Sequence, residues 1–418
     1  MSINILHLSD IQYGRHHVDK DDKRQRLYPD GNYTPQLLKM KDSLDILASD
    51  VRPNFIVVTG DIAEWSLRSE YQLAEEFIGG IADHLHIDRR YVVMVPGNHD
   101  IHRKLCQAAR LQAEAYGKPF NPPYFKKFRF YVEFFRRFYR QVKWPEGVEP
   151  YQFRRDRLFV NFYFPDEGVI FAGLNSCIDE SEENPHYGNI TFDQLRKATA
   201  YLNEKDPEKR MLRIALMHHN FVRLSSYDEE NLKDADELKP IFINGDYHLI
   251  LHGHLHIPRR EVFGNGNITI PVLATGSAGL DTDTIPANSR RYQVISMTGN
   301  RVRVYRHVFD NAETHYAGPG CWKPDIQPSQ RQLYEEFVIT HYTAKLPYNL
   351  IMKYLTVSSQ MQTQVTLGDV LKKFEKDFGV ESIFNELQRL KDNGLIRLDD
   401  RLNPRDVIEI QKHFDSKV

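Results

Sequence analysis

At 418 residues the chain is long for one hydrophobic core, which predicts a large domain plus a smaller one. Its 41% hydrophobic and 27% charged residues exclude wholesale disorder, and 55 Lys+Arg against 57 Asp+Glu leave any pull on nucleic acid or membrane to a local patch. No apolar run is long enough to cross a bilayer, and the three dispersed cysteines, Cys106, Cys177 and Cys321, suit a reducing cytoplasm better than a disulfide or zinc framework.

Met1 is followed at once by Asn4-Ile5-Leu6-His7-Leu8-Ser9-Asp10, which reads as a core strand entering a polar loop rather than as a secretory leader. Strands are expected at Ile3 to Leu8, Phe55 to Thr59 and Tyr91 to Val95, with helical spacing between them at Leu37 to Ala48 and Glu70 to Leu85. The stretch from Ile101 to Pro150 interrupts this alternation with a helical insertion. Strands resume at Val169 to Leu174, Leu212 to Met217 and His248 to Leu251, with helices near Phe192 to Leu202 and Leu232 to Phe242. From Val262 to Phe309 strands dominate, including Tyr292 to Met297 and Val302 to Val308. The pattern predicts an α/β sandwich of mixed sheets flanked by helices. Pro319-Gly320-Cys321-Trp322-Lys323-Pro324 reads as a hinge, dividing residues 1–322 from 323–418. Beyond it, Thr366 is placed to cap a helix to Phe378, Gly379 ends it, Val380 to Asn393 forms a second helix, and Leu395 to Leu398 a strand. That order resembles a winged-helix domain.

Five short motifs each follow an expected strand: Asp10-Ile11-Gln12, Gly60-Asp61, Gly97-Asn98-His99-Asp100, His218-His219 and His252-Gly253-His254-Leu255-His256. Loops at the carboxyl ends of strands are where α/β folds gather ligands. An isolated Asp or His there is commonly a cap or a loop hydrogen bond; so many in succession favour one shared site. Mixed oxygen and nitrogen donors suit Mn, Fe, Zn or Co better than Mg alone, and paired cations suit phosphoryl chemistry.

This succession resembles the calcineurin-like metallophosphoesterase superfamily over Ile3 to about Val308. The resemblance implies two divalent metal ions and attack of a metal-activated water on a phosphate ester, with the ions about 3.5–4 Å apart. Asp61 would bridge both ions. Asp10, position 12 and His256 would complete one shell, and Asn98, His218 and His254 the other. His99 would protonate or stabilise the leaving oxygen, and Asp100 would fix the orientation and tautomer of His99. The chain departs from the family pattern at Gln12, where histidine is usual. Three outcomes follow, in order of preference: Gln12 ligates through its amide oxygen and weakens the first site, with a shift toward Mn or Mg; His16 or His17 swings in; or the first site is empty and the protein inactive.

Several neighbours carry blander readings. His219 is either a support for the ligand loops or a partner for a backbone carbonyl, His252 is structural, and His7 is a satisfied core histidine. Glu64 either hydrogen-bonds the motif loops or is solvated.

The insertion from His102 to Arg157 carries 14 Lys/Arg against 5 Asp/Glu. Phe128, Tyr131, Phe135 and Phe138 form an aromatic stripe expected to pack it on the main domain, while Arg129, Arg136, Arg140 and Lys143 form a basic stripe. That basic stripe is either a solvated face or a cap that attracts a polyanion, with Arg129, Arg136 and Arg140, together with His16, as substrate contacts. From Thr366 to Val418 the count is 10 Lys/Arg against 11 Asp/Glu, which argues against DNA and for a protein partner, self-association or docking on the catalytic domain. Gly60-Asp61-Ile62-Ala63-Glu64 with Ser69-Glu70-Tyr71 looks closest to the cyclic-nucleotide phosphodiesterase branch. The expected substrate is therefore a phosphodiester in a nucleotide or nucleic acid. The alternatives are a metal-dependent nuclease acting with a partner, and a binding scaffold with a degraded site.

Overall fold

The computed structural model describes residues 2–14, 34–120, 125–145, 148–183, 187–222, 231–266, 268–279, 290–310, 321–325, 334–342, 347, 350–399 and 402–411. Strands β1 (Ser2–Leu8), β2 (Phe55–Thr59) and β3 (Val92–Val95) run parallel. They are apolar and almost wholly buried, as parallel strands covered on both faces must be. Antiparallel β10 (Arg291–Thr298) and β11 (Arg301–Asp310) extend this first sheet beyond β1. A second sheet has the order β4-β5-β6-β7-β9-β8: β4 (Val160–Phe164), β5 (Val169–Gly173), β6 (Leu212–Leu216), β7 (Leu249–His252), β9 (Thr269–Ala274) and β8 (Arg259–Gly264). Its middle strands β5, β6, β7 and β9 are parallel. Mixed α/β with two mixed sheets flanked by helices is the architecture expected from the alternation of periodicities.

Residues of both sheets share one core, among them Leu8, Val58, Phe171, Leu216 and Leu251. Helices α1 (Thr34–Asp45) and α2 (Arg68–His84) add Met40, Leu44, Ala74 and Ile78 to it. On the far side of the second sheet, α5 (Phe192–Lys205) and α6 (Ala235–Asn244) bury Leu195, Leu202, Leu238 and Phe242 in a separate cluster. Register decides where the loops emerge. Leu8 pairs with Val58, Thr59 with Val95, and Leu216 with Leu251, so each parallel set ends level.

The insertion folds as α3 (Arg103–Ala115) and α4 (Arg129–Phe138). Phe128, Tyr131, Phe135 and Phe138 are buried, as the aromatic stripe predicted. Tyr71 of α2 stacks on Phe134, the Tyr139 hydroxyl donates to the Val92 carbonyl at 2.6 Å, and buried Lys127 donates to the carbonyls of Cys177, Ile178 and Glu180.

The boundary expected at 322/323 falls inside a strand. Cys321–Pro324 (β12) pairs with β11, and Glu335–Val338 (β13) pairs with β11 further along. The open edge of β11 overrides the local Pro/Gly signal, and Pro324 sits at a strand end on a sheet edge, where its missing N–H is tolerated. The C-terminal elements α7 (Leu350–Gln360), α8 (Leu367–Phe378), α9 (Val380–Asp392) and the short β14 (Ile396–Arg397) and β15 (Glu409–Ile410) have their own core of Ile351, Leu355, Leu367, Val370, Ile383, Leu387 and Ile396. Helix α8 starts at a reciprocal cap: Asp369 N–H donates to Thr366 Oγ1 (3.2 Å), and Thr366 N–H donates to Asp369 Oδ2 (2.9 Å). This unit meets the second-sheet half of the molecule. Fully buried Glu386 on α9 accepts from Arg210 at 3.1 Å, and His341 Nε2 donates to the Tyr247 carbonyl at 2.9 Å.

Candidate metal centre

Loops after β1, β2 and β3 meet those after β6 and β7 at the level carboxyl ends of the two sheets. Asp10, Gln12, Asp61, Asn98 and His218 are each at most 1% exposed. Ligand atoms of Asp10, Asp61 and His218 lie within 4.8 Å of one another. His218 Nδ1 donates to the Thr59 carbonyl at 2.8 Å, which ties a loop of the second sheet to a strand of the first. A carbonyl can only accept, so the lone pair of His218 sits on Nε2. That atom faces Asn98 Oδ1 at 2.9 Å, His254 Nδ1 at 3.3 Å and Asp61 Oδ2 at 3.4 Å. So many electron-rich atoms need a positive charge among them. The donor set therefore fits a divalent cation of the borderline class. Next to it, Asp10 Oδ1 stands 3.2 Å from His256 Nε2, and the His254 N–H donates to Asp10 Oδ2 at 3.1 Å.

Ionisation reports the same demand. Burial pushes His218 down, yet the Asp61 and Asp10 carboxylates lift it to about 10: a proton does there what a cation would do. Burial favours protonation of Asp61, but His218 and His99 hold it well below the usual carboxylate range. His254 is pushed well below the usual imidazole value by burial and then by His219 and His218.

The backbone is strained where the donors are. Asp10, Gln12, Asp61, His254 and His256 all have φ between 48° and 74°, the left-handed region that side chains with a Cβ avoid. The motif glycines exist for close approach. A Cβ on Gly97 would lie 2.1 Å from Asp61 Oδ1, and one on Gly253 would lie 1.8 Å from Ser9 Oγ.

His99 is partly open to solvent. Its Nε2 is 4.0 Å from Asp61 Oδ2, and its Nδ1 is 2.9 Å from the Glu64 carbonyl, which fixes Nδ1 as the protonated nitrogen. Burial lowers its proton affinity, but Asp61 and Glu64 outweigh burial and Arg103 to raise it. The orienting role expected of Asp100 falls instead to the backbone of Glu64. Asp100 accepts from the N–H groups of Gly97 (2.9 Å), Ala63 (3.1 Å) and Ile62 (3.2 Å) and from the Tyr71 hydroxyl (3.0 Å), so it clamps two motif loops together. Three backbone N–H groups and one hydroxyl occupy the lone-pair sites of this buried carboxylate and leave none for the ring.

Gln12 is in the cluster, with its amide Nε2 donating to Asp61 Oδ2 at 3.2 Å. His16 lies outside the described residues. Arg129, Arg136 and Arg140 are exposed; Arg129 pairs with Glu133 at 3.3 Å, and none of the three lines the cavity beside His99, where Arg103 and Lys104 stand instead. His219 bonds Ser176 Oγ (2.8 Å) and Glu180 (3.3 Å), supports that carry no motif signal. His7 lies between Thr59 and Gln293, both at 2.9 Å, and is the satisfied core histidine expected. His252, next to the Gly253 carbonyl, is pushed down to about 4, chiefly by burial.

The calcineurin-like phosphoesterase family matches residues 3–258, more than half of the chain and every candidate ligand. The chain belongs to this family. It is also similar to the uncharacterized metallophosphoesterase-like protein YydB of Bacillus subtilis strain 168, 24% identical over 282 residues, which are 64% of this chain and 51% of the relative. The chain thus spans about half the length of that curated relative. Among solved structures it resembles a dimetal phosphatase from Danio rerio (15% identity, TM-score 0.43, covering 73% of this chain and 95% of that one). It also resembles vacuolar protein sorting 29 from Cryptosporidium parvum (11% identity, TM-score 0.30, covering 81% and 98%). No described helix of this family member is long and apolar enough to cross a membrane.

Proposed function

We propose that this chain is a dimetal phosphodiesterase that hydrolyses a phosphodiester of a nucleotide or nucleic acid, with Mn as the first candidate ion and Fe, Zn, Co or Mg behind it. The observation that carries the reading is the ring of Asn98, His254 and Asp61 donors around one His218 nitrogen, with Asp10 and His256 beside it. Two bound divalent ions would supply a lowered pKa for water and a clamp on phosphoryl oxygens. Asp61 would hold both, Asp10, Gln12 and His256 one, and Asn98, His218 and His254 the other.

The remaining chemistry belongs to side chains of this chain. His99, with Nδ1 committed to the Glu64 carbonyl, presents Nε2 to the reaction space and holds a proton more tightly than free imidazole. It is suited to protonate a leaving oxygen. Asp100 keeps the Gly60 and Gly97 loops at one spacing and acts on the reaction only through them. The C-terminal unit we read as winged-helix-like. The buried Glu386–Arg210 pair favours docking of α9 on the catalytic body over DNA, and its exposed faces are available to a protein partner or a second copy. A cytoplasmic setting fits three cysteines without a disulfide.

The test is to offer the Mn-loaded protein bis-p-nitrophenyl phosphate, cyclic nucleotides, and single- and double-stranded DNA. Turnover is expected to disappear in Asp61→Ala and to fall steeply in His99→Ala. Wild type that turns over none of them would favour a scaffold, a reading that the Gln12 amide donating to Asp61 supports. Steeply salt-dependent cleavage of DNA would favour a nuclease.

A further inference from the structure

A cavity of about 580 Å³ opens beside His99, within the range of small-molecule sites. Its lining includes Glu64, Trp65 and Leu67 from the loop after β2, and Ile101 and the start of α3 with Arg103 and Lys104. The loop after β2 is held with unusual thoroughness. Glu70 accepts from the N–H groups of Trp65 (3.1 Å) and Leu67 (2.9 Å), and Ser66 Oγ donates to the Asp100 carbonyl at 2.9 Å. The Glu64 N–H donates to the Tyr13 carbonyl at 2.9 Å, and Ser66 takes a left-handed φ of 56°. Yet Trp65 and Leu67, the large apolar side chains on this fixed backbone, are 48% and 40% exposed. A backbone this constrained does not leave an indole in water for want of packing options. It presents a flat apolar shelf at the mouth of the site. In the same lining, two cations stand at the amino end of a 13-residue helix, whose dipole also favours an anion.

We infer that this cavity receives the departing nucleotide of the phosphodiester, its base stacked on Trp65 and its own phosphate beside Arg103 and Lys104. The inference rests on the phosphodiesterase reading and narrows it from a nucleic-acid strand to a small nucleotide diester that ends in the cavity. In the reaction the oxygen of water bonds to phosphorus and the P–O bond to the departing nucleotide breaks. Its oxygen takes the proton of His99, and the proton shed by water restores that histidine. A planar base suits the shelf because stacking is tolerant of base identity, whereas the rim cations recognise charge.

Equilibrium binding of AMP and of ribose 5-phosphate to the Mn-loaded protein tests this, alongside turnover of bis-p-nitrophenyl phosphate. The wild type is expected to bind AMP about ten-fold or more tighter than ribose 5-phosphate. Trp65→Ala should abolish that ratio and Trp65→Phe keep most of it, while Arg103→Ala with Lys104→Ala should weaken both ligands alike. Equal binding of the two ligands by wild type, or an AMP preference that survives Trp65→Ala, overturns the inference. If bis-p-nitrophenyl phosphate is still hydrolysed in that event, only the nucleotide pocket is lost. If it is not hydrolysed, the phosphodiesterase reading itself fails, whatever the cavity binds.

Discussion

The two sheets contribute different chemistry to one place. Among the candidate ligands the first supplies the two carboxylates and so the negative charge, Asp10 and Asp61, together with the amides of Asn98 and Gln12, the latter turning its N–H toward Asp61. The second supplies imidazoles: His218, His254 and His256. Neither set is a metal site alone. Buried carboxylates without a counter-charge would take up protons, and buried imidazoles without carboxylates would lose them, as His254 does. The level registers of the two parallel sets bring the halves within bonding distance, so the centre is a property of the sandwich rather than of either sheet.

The sharpest way to break this division is Asp61→Ala, which removes the carboxylate in contact with donors from both halves. Turnover should fall below detection and bound metal per chain should drop, by elemental analysis; a larger metal loss in His254→Ala would show that the imidazole half dominates. His99→Ala should lower kcat by about 10²–10⁴-fold with metal content unchanged. A fall in metal content would instead make His99 a ligand. Gly97→Ala should destabilise the fold by about 1–3 kcal/mol, because its methyl would press on Asp61 from within the first half; thermal unfolding reads this directly. Glu70, raised to about 7 chiefly by burial, has a folded value above its unfolded one of 4.5. Its protonated form thus stabilises the fold fully below about pH 4.5, and that contribution is lost as pH rises through about 7, on the order of 3 kcal/mol. Thermal midpoints across this window should fall less steeply with rising pH in Glu70→Gln than in wild type. The smallest change expected is in Gln12→His, which adds an imidazole to the oxygen half and should slow metal loss to a chelator. Should it instead awaken an inert protein, the native first site was empty.

The convergence of the candidate ligands was legible because Gly97-Asn98-His99-Asp100 and Gly253-His254-Leu255-His256 concentrate side chains able to ligate a cation in short loops at strand ends. The two-sheet architecture followed from apolar runs too short for helices. Glu64 was expected either to hydrogen-bond the motif loops or to be solvated, and it does the former; that it uses its backbone carbonyl on His99 left no trace in the sequence, because every residue has one. Asp100 was misread because its neighbour in sequence, His99, is not its neighbour in bonding. The charge surplus of the insertion was real, but counting cannot say which cations face the cavity. Strand β12 was masked by its own Pro324 and by Pro319-Gly320 just before it, while what makes it a strand is pairing with β11.

Five donors held in left-handed backbone have one more consequence. Loops of that kind cannot drift toward whichever cation arrives first. The cation must accept the spacing it finds, so exchange of one element for another should alter rate and affinity while leaving the surrounding atoms where they stand. Selection among divalent cations would then fall to donor chemistry and to availability, not to adjustment of the protein.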